Sequence, residues 1–476
     1  MQKHSRAVAG IAMLLALLFV QIGCREKAAD RPSPNVLLVS IDSLRADHLG
    51  VYGYSRDTSP ALDRFASQGV RFENALAPAP WTLPSHVSLF TGLPPIAHGV
   101  LFDPKALADD ALCLAEVLRA NGYATAGFVG GPFLRSIYGL AQGFDTYDDR
   151  TVVRPLLESH RGQSSPELVA LTIDWIEKHT EAVEPRPFFV FLHLWDVHYD
   201  YSPPPPYDEM FDPDYTGSIT SQDFETGDQV HADMDPRDLE HIVALYDGEI
   251  RYTDAHLANL LDHLDRKGLA DDTIVVITSD HGEEFFEHGE KGHRKNLHGE
   301  TLRVPLMMRY PGRMPAGAVS PSIARLEDVP TTILALAGIE RPALFGAPSA
   351  PADLSDPSNL ADLTARDLSR DFSDNGETRP ARSAFGDLHG AEASIQRDRM
   401  KLIWSRKAGV ARTQLFDLAR DPDEQSELAA ERETRVELFD RLARWRADWQ
   451  TQPSHAVDIE LDEAQLNALR SLGYIR

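Results

Sequence analysis

Cysteine is nearly absent from this sequence: Cys24 and Cys113 are the only two among 476 residues. A disulfide-stapled architecture is therefore excluded, and Cys113, inside the helix-like stretch ALCLAEVLRANG, reads as a small buried thiol. Positive charge is scarce as well. Against 73 acidic side chains stand 47 Lys and Arg, a formal net charge of −26. Long-range repulsion of that size opposes binding to nucleic acid or anionic lipid, so no nucleic-acid partner is expected. Internal repeats are lacking, and only one long apolar run is present, at the N-terminus. What remains has ordinary globular proportions, 42% hydrophobic and 25% charged, enough for one large α/β domain and a smaller appendage.

The N-terminal run is AVAGIAMLLALLFV, behind the basic MQKHSR and ahead of QIGC. Its length suits a secretory signal and is short for a stable membrane span. A small residue before Cys24 resembles a bacterial lipoprotein cleavage site, although Gln21 stands where an aliphatic residue is usual. The expectation is a signal peptide of lipoprotein type over residues 1–24 and a polar tether over 25–34. The protein would then be exported to the bacterial periplasm or anchored at the outer membrane, touching the membrane only through a lipid on Cys24. Simple secretion with cleavage nearby is the alternative.

Beyond the tether, NVLLVSID, GYATAGFV, RPFFVFLHLWDVH, DDTIVVITSDHGE and RVPLMMRYPG are apolar runs of buried-strand length. Helix-period stretches such as SPELVALTIDWIEKH and LEHIVALYDGEIRYTDAHLANLLDHLDRKG separate them. This alternation predicts an α/β fold with a mainly parallel sheet sandwiched by helices. Three runs end in polar residues: Asp42, the His193–His198 group, and Asp280-His281. Carboxyl ends of strands are where open α/β sheets place ligands. Residues 202–239 are proline-rich and then acidic, and predict a long loop. Residues 346–377 read as a linker or excursion, and 378–476 as a small α+β subdomain behind a catalytic domain over 35–345.

The stretch PWTLPSHVSLFTG holds the chemical question. Thr82 ahead of Pro84 can simply cap a helix. The same geometry would also set its hydroxyl at a positive helix end, facing an anionic ester. A hydroxyl needs an agent to strip its proton, and a divalent cation can do so near neutral pH. Asp42, Asp280 and His281 are suitable ligands. Mixed oxygen and nitrogen ligation favours Mn²⁺ or Zn²⁺ over Ca²⁺.

IDSLRADHLGVYGY, WTLPSHVSLFTGLPPIAHGV, FLHLWDVHYDYSPPPP, SDHGEEFFEHGEKGH, RVPLMMRYPG and QLFDLARDPDEQSELA resemble, in this order, the hallmark blocks of the sulfatase family, within the alkaline-phosphatase-like superfamily. The resemblance runs from about Pro34 to the C-terminus. It implies that Asp42, Asp280 and His281 bind one divalent ion (Mn, Zn or Ca) together with Thr82 at the nucleophile position. It further implies that His198 and His293 contact the ester, and that Arg294 or Lys295 stands in for the family lysine. Ser85 would assist anion binding. His98 is a weaker candidate, and Arg45 either pairs near the metal or forms a structural salt bridge. Asp247 and Glu249 read as solvated or packing residues of the long helix.

The departures matter. Where the family carries C/S-x-P-x-R, this chain has Thr82, Pro84 and His86, so His86 replaces the arginine on the substrate side. Threonine cannot give the formylglycine aldehyde, because its β-carbon bears a methyl group, so no formylglycine is expected. Ser43 replaces the second aspartate of the usual pair. The resemblance therefore implies a metal-dependent hydrolase acting through Thr82 on a small or glycan-like sulfate, phosphate or phosphonate ester. Two alternatives stand beside it: an inactive relative binding an anionic glycan or lipid head group, and a phospho-group transferase.

Overall fold

The computed structural model describes residues 33–102, 104–153, 164–343, 345–347, 362, 364–372, 383–407 and 409–471. The expected signal peptide, Cys24 and the tether up to residue 32 lie outside the described residues, as does much of the 346–377 excursion.

Eight strands form the main sheet: β1 (Asn35–Ile41), β2 (Val70–Leu76), β3 (Ala124–Val129), β4 (Thr146–Asp148), β5 (Phe188–Leu194), β6 (Thr273–Ser279), β7 (Leu306–Arg309) and β8 (Ala318–Arg325). Their spatial order is β8-β2-β7-β6-β1-β5-β3-β4. Only β7 runs antiparallel to its neighbours; the other pairings are parallel. Every residue of β5 and β6 is buried, which requires cover on both faces and explains their unbroken apolar sequences. Side chains leave the central strands alternately, as a period of two demands. Val36, Leu38, Phe189 and Val276 join one core; Leu37, Val39, Val190 and Ile277 join the other.

Helices fill the two faces. On the first lie α2 (Thr82–Thr91) and α6 (Asp328–Leu336), through Leu83, Val87, Phe90, Val329 and Ile333. On the second lie α1 (Pro60–Gln68), α4 (Ser165–Thr180) and α5 (Pro236–Arg266), through Leu62, Phe65, Leu168, Ile250 and Leu257. Pro236 opens α5 and the Asp235 carboxylate caps it by accepting from the Arg237 N–H at 2.9 Å, a pairing of cap and N1 proline that sets where the helix starts. Cys113 is buried and caps the short helix α3 (Leu114–Ala120) rather than lying within it.

A four-stranded antiparallel meander follows, β9 (Ser383–Leu388), β10 (Glu392–Arg397), β11 (Met400–Lys407) and β12 (Val410–Asp417). Helix α7 (Arg432–Gln450) covers it with Leu438, Leu442, Trp445 and Trp449, and Trp445 stacks on Phe385 at 4.2 Å. This is the small C-terminal α+β subdomain. Its Glu424 reaches back to the main domain, accepting from His298 Nδ1 at 2.9 Å while Lys401 donates at 2.7 Å. No described helix is long and apolar enough to cross a membrane.

Sheet order positions the site. Strand β1 lies between β5 and β6, and Ile41 is level with both Leu194 and Ser279. The residues one step past the carboxyl ends of three adjacent strands are thus brought to the same edge.

Candidate active site

Asp42 leaves β1 as the strand stops pairing, and its N–H still donates to the Leu194 carbonyl at 2.9 Å. Ser43 then takes a left-handed conformation, φ 54°. That conformation is costly for a residue with a Cβ, and here it aims three groups. The Ser43 hydroxyl donates to Asp42 Oδ1 at 2.7 Å, its N–H to Asp280 Oδ1 at 3.3 Å, and its carbonyl accepts from the Tyr246 hydroxyl at 2.8 Å. Position 43 thus orients the ligand beside it instead of supplying one.

On the neighbouring strand end, Asp280 Oδ1 also accepts from the His281 N–H at 3.0 Å. His281 Nδ1 donates to the Gly282 carbonyl at 2.8 Å. With the proton held on Nδ1, Nε2 presents its lone pair inward, the tautomer a metal ligand needs. Gly282 is glycine for a packing reason: a Cβ there would come 2.0 Å from the Glu300 carbonyl oxygen.

Thr82 is the first residue of α2, and Trp81, extended at φ −171°, occupies the cap position. The capping role open to Thr82 in the sequence is therefore not the one it plays. Its Oγ1 lies 3.4 Å from Asp42 Oδ2 and 3.3 Å from His281 Nε2 instead. All of α2 is buried. Gly92 ends the helix in a left-handed turn, φ 71°.

Asp42, Asp280 and His281 each bring one donor atom within 4.8 Å of the others, and all three are fully buried. His281 Nε2 is 3.5 Å from Asp280 Oδ2 and 3.8 Å from Asp42 Oδ1. Donor spacings near these values match the edge of a tetrahedron with about 2.1 Å from centre to corner, roughly 3.4 Å. Asp280 Oδ2 has no hydrogen-bond partner. A fully buried carboxylate oxygen left unpaired is costly, and a divalent ion would satisfy it. Burial pushes Asp42 up to about 6, with His281, Ser43 and Thr82 opposing. The donor set fits one hard or borderline dication.

Residues 34–339 match the family model described as Sulfatase. The chain belongs to the sulfatase family. Among its relatives, the ulvan-active sulfatase of Formosa agariphila is 28% identical over 369 residues, covering 71% of this chain and 68% of that protein. The N-acetylgalactosamine-6-sulfatase of Canis lupus familiaris is 27% identical over 392 residues, at 71% and 68% coverage. Among solved structures, the phosphonate monoester hydrolase of Agrobacterium radiobacter superposes with a TM-score of 0.70 at 22% identity, over 90% of this chain and all of that one. This last likeness shows the shared fold.

The family's arginine position is filled by His86, and the structure places it beneath the site. Its Nδ1 donates to the Thr82 carbonyl at 2.8 Å and its Nε2 lies 3.0 Å from Ser40 Oγ. Burial pushes His86 down to about 3, so its 3.6 Å approach to Asp280 Oδ2 is not an ion pair at neutral pH. Ser85 is likewise turned away, donating to the Ala79 carbonyl at 2.9 Å. Lys295 pairs with Glu225 at 2.7 Å, fastening the long loop. Arg294 lies over the Trp81 ring at 4.2 Å, its N–H on the Pro80 carbonyl, next to the start of α2.

Two further buried histidines lie beside this centre. His198 donates from Nδ1 to the Tyr199 carbonyl at 2.6 Å and stacks on Trp195 at 3.8 Å. His293 lies 5.1 Å from His198 and 4.3 Å from His281, centroid to centroid. Residues outside this centre sort as structural. His98, buried and pushed down to about 3 by burial, bonds Ser88 and the Val100 N–H. Arg45 pairs with Asp47 and Glu287, the structural alternative. Asp247 and Glu249 are buried rather than solvated, and Asp247 collects His48, Tyr54 and Arg56 at 2.7 Å each.

His193 is a buried group beside the centre that the sequence does not single out as a site residue. His193 Nε2 lies 3.3 Å from Asp42 Oδ2, its ring edge-on to His86 at 4.8 Å. Its signal was a polar residue inside the apolar run FFVFLHL, paired in register with Ser40 of NVLLVSI.

Proposed function

We propose that this chain hydrolyses phosphate or phosphonate esters at least as well as sulfate esters, with Thr82 as nucleophile. The observation that carries the reading is Thr82 Oγ1, turned off its helix and set 3.3–3.4 Å from His281 and Asp42. A divalent ion held by Asp42, Asp280 and His281 would supply the positive charge that makes a hydroxyl acidic and neutralises an ester anion. Thr82 Oγ1 then forms a bond to phosphorus in line with the departing alcohol, whose P–O bond breaks. Water then attacks phosphorus, the Thr82 Oγ1–phosphorus bond breaks, phosphate, its monoester or phosphonate leaves, and Oγ1 regains a proton from the attacking water. A threonyl sulfate lacks the exit that a formylglycine hemiacetal provides, which is why phosphorus esters are favoured.

In this reading His198 and His293 touch ester oxygens, and Arg294 pairs with the substrate's anion beside the N–H groups that open α2. His86, Ser85 and Lys295 take supporting roles, since each is engaged elsewhere. The relatives named for ulvan and N-acetylgalactosamine-6-sulfate support an anionic, glycan-like ester as one substrate class. Export and a lipid on Cys24 remain part of the proposal.

The test is a panel of aryl phosphate, phosphate diester, phosphonate monoester and sulfate, assayed with protein loaded with Zn²⁺ or Mn²⁺. Phosphorus esters should turn over, and Thr82→Ala should lose about a thousandfold or more of kcat while still binding metal. Turnover by Thr82→Ala at the wild-type rate removes Thr82 from the chemistry. Tight metal binding with no turnover on the panel replaces the hydrolase by an anion-binding relative.

A further inference from the structure

His293 is held from behind. Its Nδ1 lies 2.9 Å from Glu283 Oε1, and Glu283 Oε2 accepts from the Tyr201 hydroxyl at 2.9 Å. All three side chains are buried, Glu283 completely. The carboxylate's own backbone is fixed too: its N–H donates to the Glu300 carbonyl at 2.9 Å, and its carbonyl accepts from Arg45 Nη1 at 3.0 Å. Ser221 Oγ donates to the Tyr201 carbonyl. The long segment after Tyr201 is fastened to the stretch bearing His293 by Lys295 on Glu225 and by Lys291 Nζ on the Val230 carbonyl, both at 2.7 Å.

An imidazole ring can turn broadly about its last torsion, so the bond made by one nitrogen decides where the other points. We propose that Glu283 and Tyr201 are positioning residues for His293: the carboxylate fixes Nδ1, so Nε2 is presented to the ester oxygens at Thr82, and the tyrosine hydroxyl keeps the carboxylate from rotating. This rests on the reading of His293 as a substrate contact given above.

Metal-loaded protein would be assayed for kcat and KM on an aryl phosphate, alongside calorimetric titration of the chelated protein with Zn²⁺. Glu283→Ala should lower kcat by about tenfold to a hundredfold, the range for losing a carboxylate that orients a functional histidine, with KM and Zn²⁺ affinity held. Glu283→Gln, whose amide oxygen still accepts from Nδ1, should recover most of that loss, and Tyr201→Phe should show a smaller one. Glu283→Ala combined with His293→Ala should be no slower than His293→Ala alone. Wild-type kcat in Glu283→Ala beside a slow His293→Ala overturns the positioning role and leaves His293 standing. Additive losses, or a fall in Zn²⁺ affinity that accounts for the rate, overturn it as well. A fully active His293→Ala overturns the reading of His293 and this inference with it. Should Glu283→Ala fail to fold, Tyr201→Phe decides, because it deletes one hydroxyl: unchanged kcat there overturns the relay.

Discussion

Asp280→Asn should make the chelated protein more stable and the metal-loaded protein less responsive to metal. In the wild type, Asp280 Oδ1 is satisfied by the His281 N–H at 3.0 Å, the Ser43 N–H at 3.3 Å and Ser279 Oγ at 3.5 Å. An amide oxygen can take over those bonds. Oδ2 has no partner and is fully buried; an asparagine would put an NH₂ there, 3.5 Å from the His281 Nε2 lone pair, to which it can donate. Relieving a buried unsatisfied oxygen is worth about 1–3 kcal/mol. In a chain of this length that is about 1–3 °C in Tm. Metal at about a thousand times its Kd stabilises the wild type by about 4 kcal/mol, whereas a site weakened about a hundredfold gains only about 1.4 kcal/mol. Differential scanning calorimetry with EDTA, then with Zn²⁺ or Mn²⁺, reads both numbers. A chelated variant melting below the chelated wild type, or an undiminished rise on adding metal, would refute the account of Asp280 as a ligand held unpaired for an ion.

Two further outcomes are expected. Arg294→Ala should raise KM for an anionic ester by about tenfold through loss of a charge-assisted bond, whereas Ser85→Ala, whose hydroxyl only serves the Ala79 carbonyl, should leave KM unchanged; steady-state kinetics separates them. His288 faces Glu300 at 2.7 Å and the Glu424 carbonyl at 3.1 Å, at the seam with the C-terminal subdomain. Burial opposes its charge, but the Glu300 bond and charge and the Glu424 groups outweigh it and push the imidazole up to about 9. Its folded pKa exceeds the ordinary His value, so its contribution to stability is complete below about 6.5 and is lost as pH rises through 9. Denaturant melts should therefore weaken over that interval, and His288→Gln should flatten the slope; an equal slope in the variant would show that another group titrates there.

The metal centre was legible because its ligands lie at ends of apolar runs, where strand period and length locate Asp42 and Asp280 without any knowledge of pairing. Their meeting required sheet order, with β1 between β5 and β6, which a strand-by-strand reading does not contain. The side-chain partners were less visible. Ser85 and His86 sit one and two residues past Pro84 in the first turn of a helix, so the sequence could place them near the nucleophile. It could not show that a fully buried helix turns them toward the Ala79 carbonyl and Ser40. The sequence does not show the bond from Lys295 to Glu225, seventy positions earlier in a loop without period. Tyr201 and Glu283 were likewise out of reach, since their bond joins segments with no shared pattern.

The two departures from the family pattern beside the nucleophile belong together. Ser43 stands where an aspartate is usual, and His86 where an arginine is. Burial keeps His86 neutral, so one negative and one positive charge are missing, and the fixed charge of the pocket is unchanged. A buried guanidinium with its carboxylate partner is expensive to desolvate and gives little net stability, and a hydroxyl on Asp42 plus an imidazole hydrogen-bonded to Ser40 and Thr82 fills the same ground without that penalty. What the exchange alters is chemistry. A guanidinium that could brace an aldehyde hydrate is replaced by a ring whose Nδ1 holds the Thr82 carbonyl at 2.8 Å. The first turn of α2 is thereby locked with its hydroxyl toward the carboxylates. In this site the nucleophile is positioned through its own backbone, and that suits a side chain with a single oxygen and no second hydroxyl to expel its product.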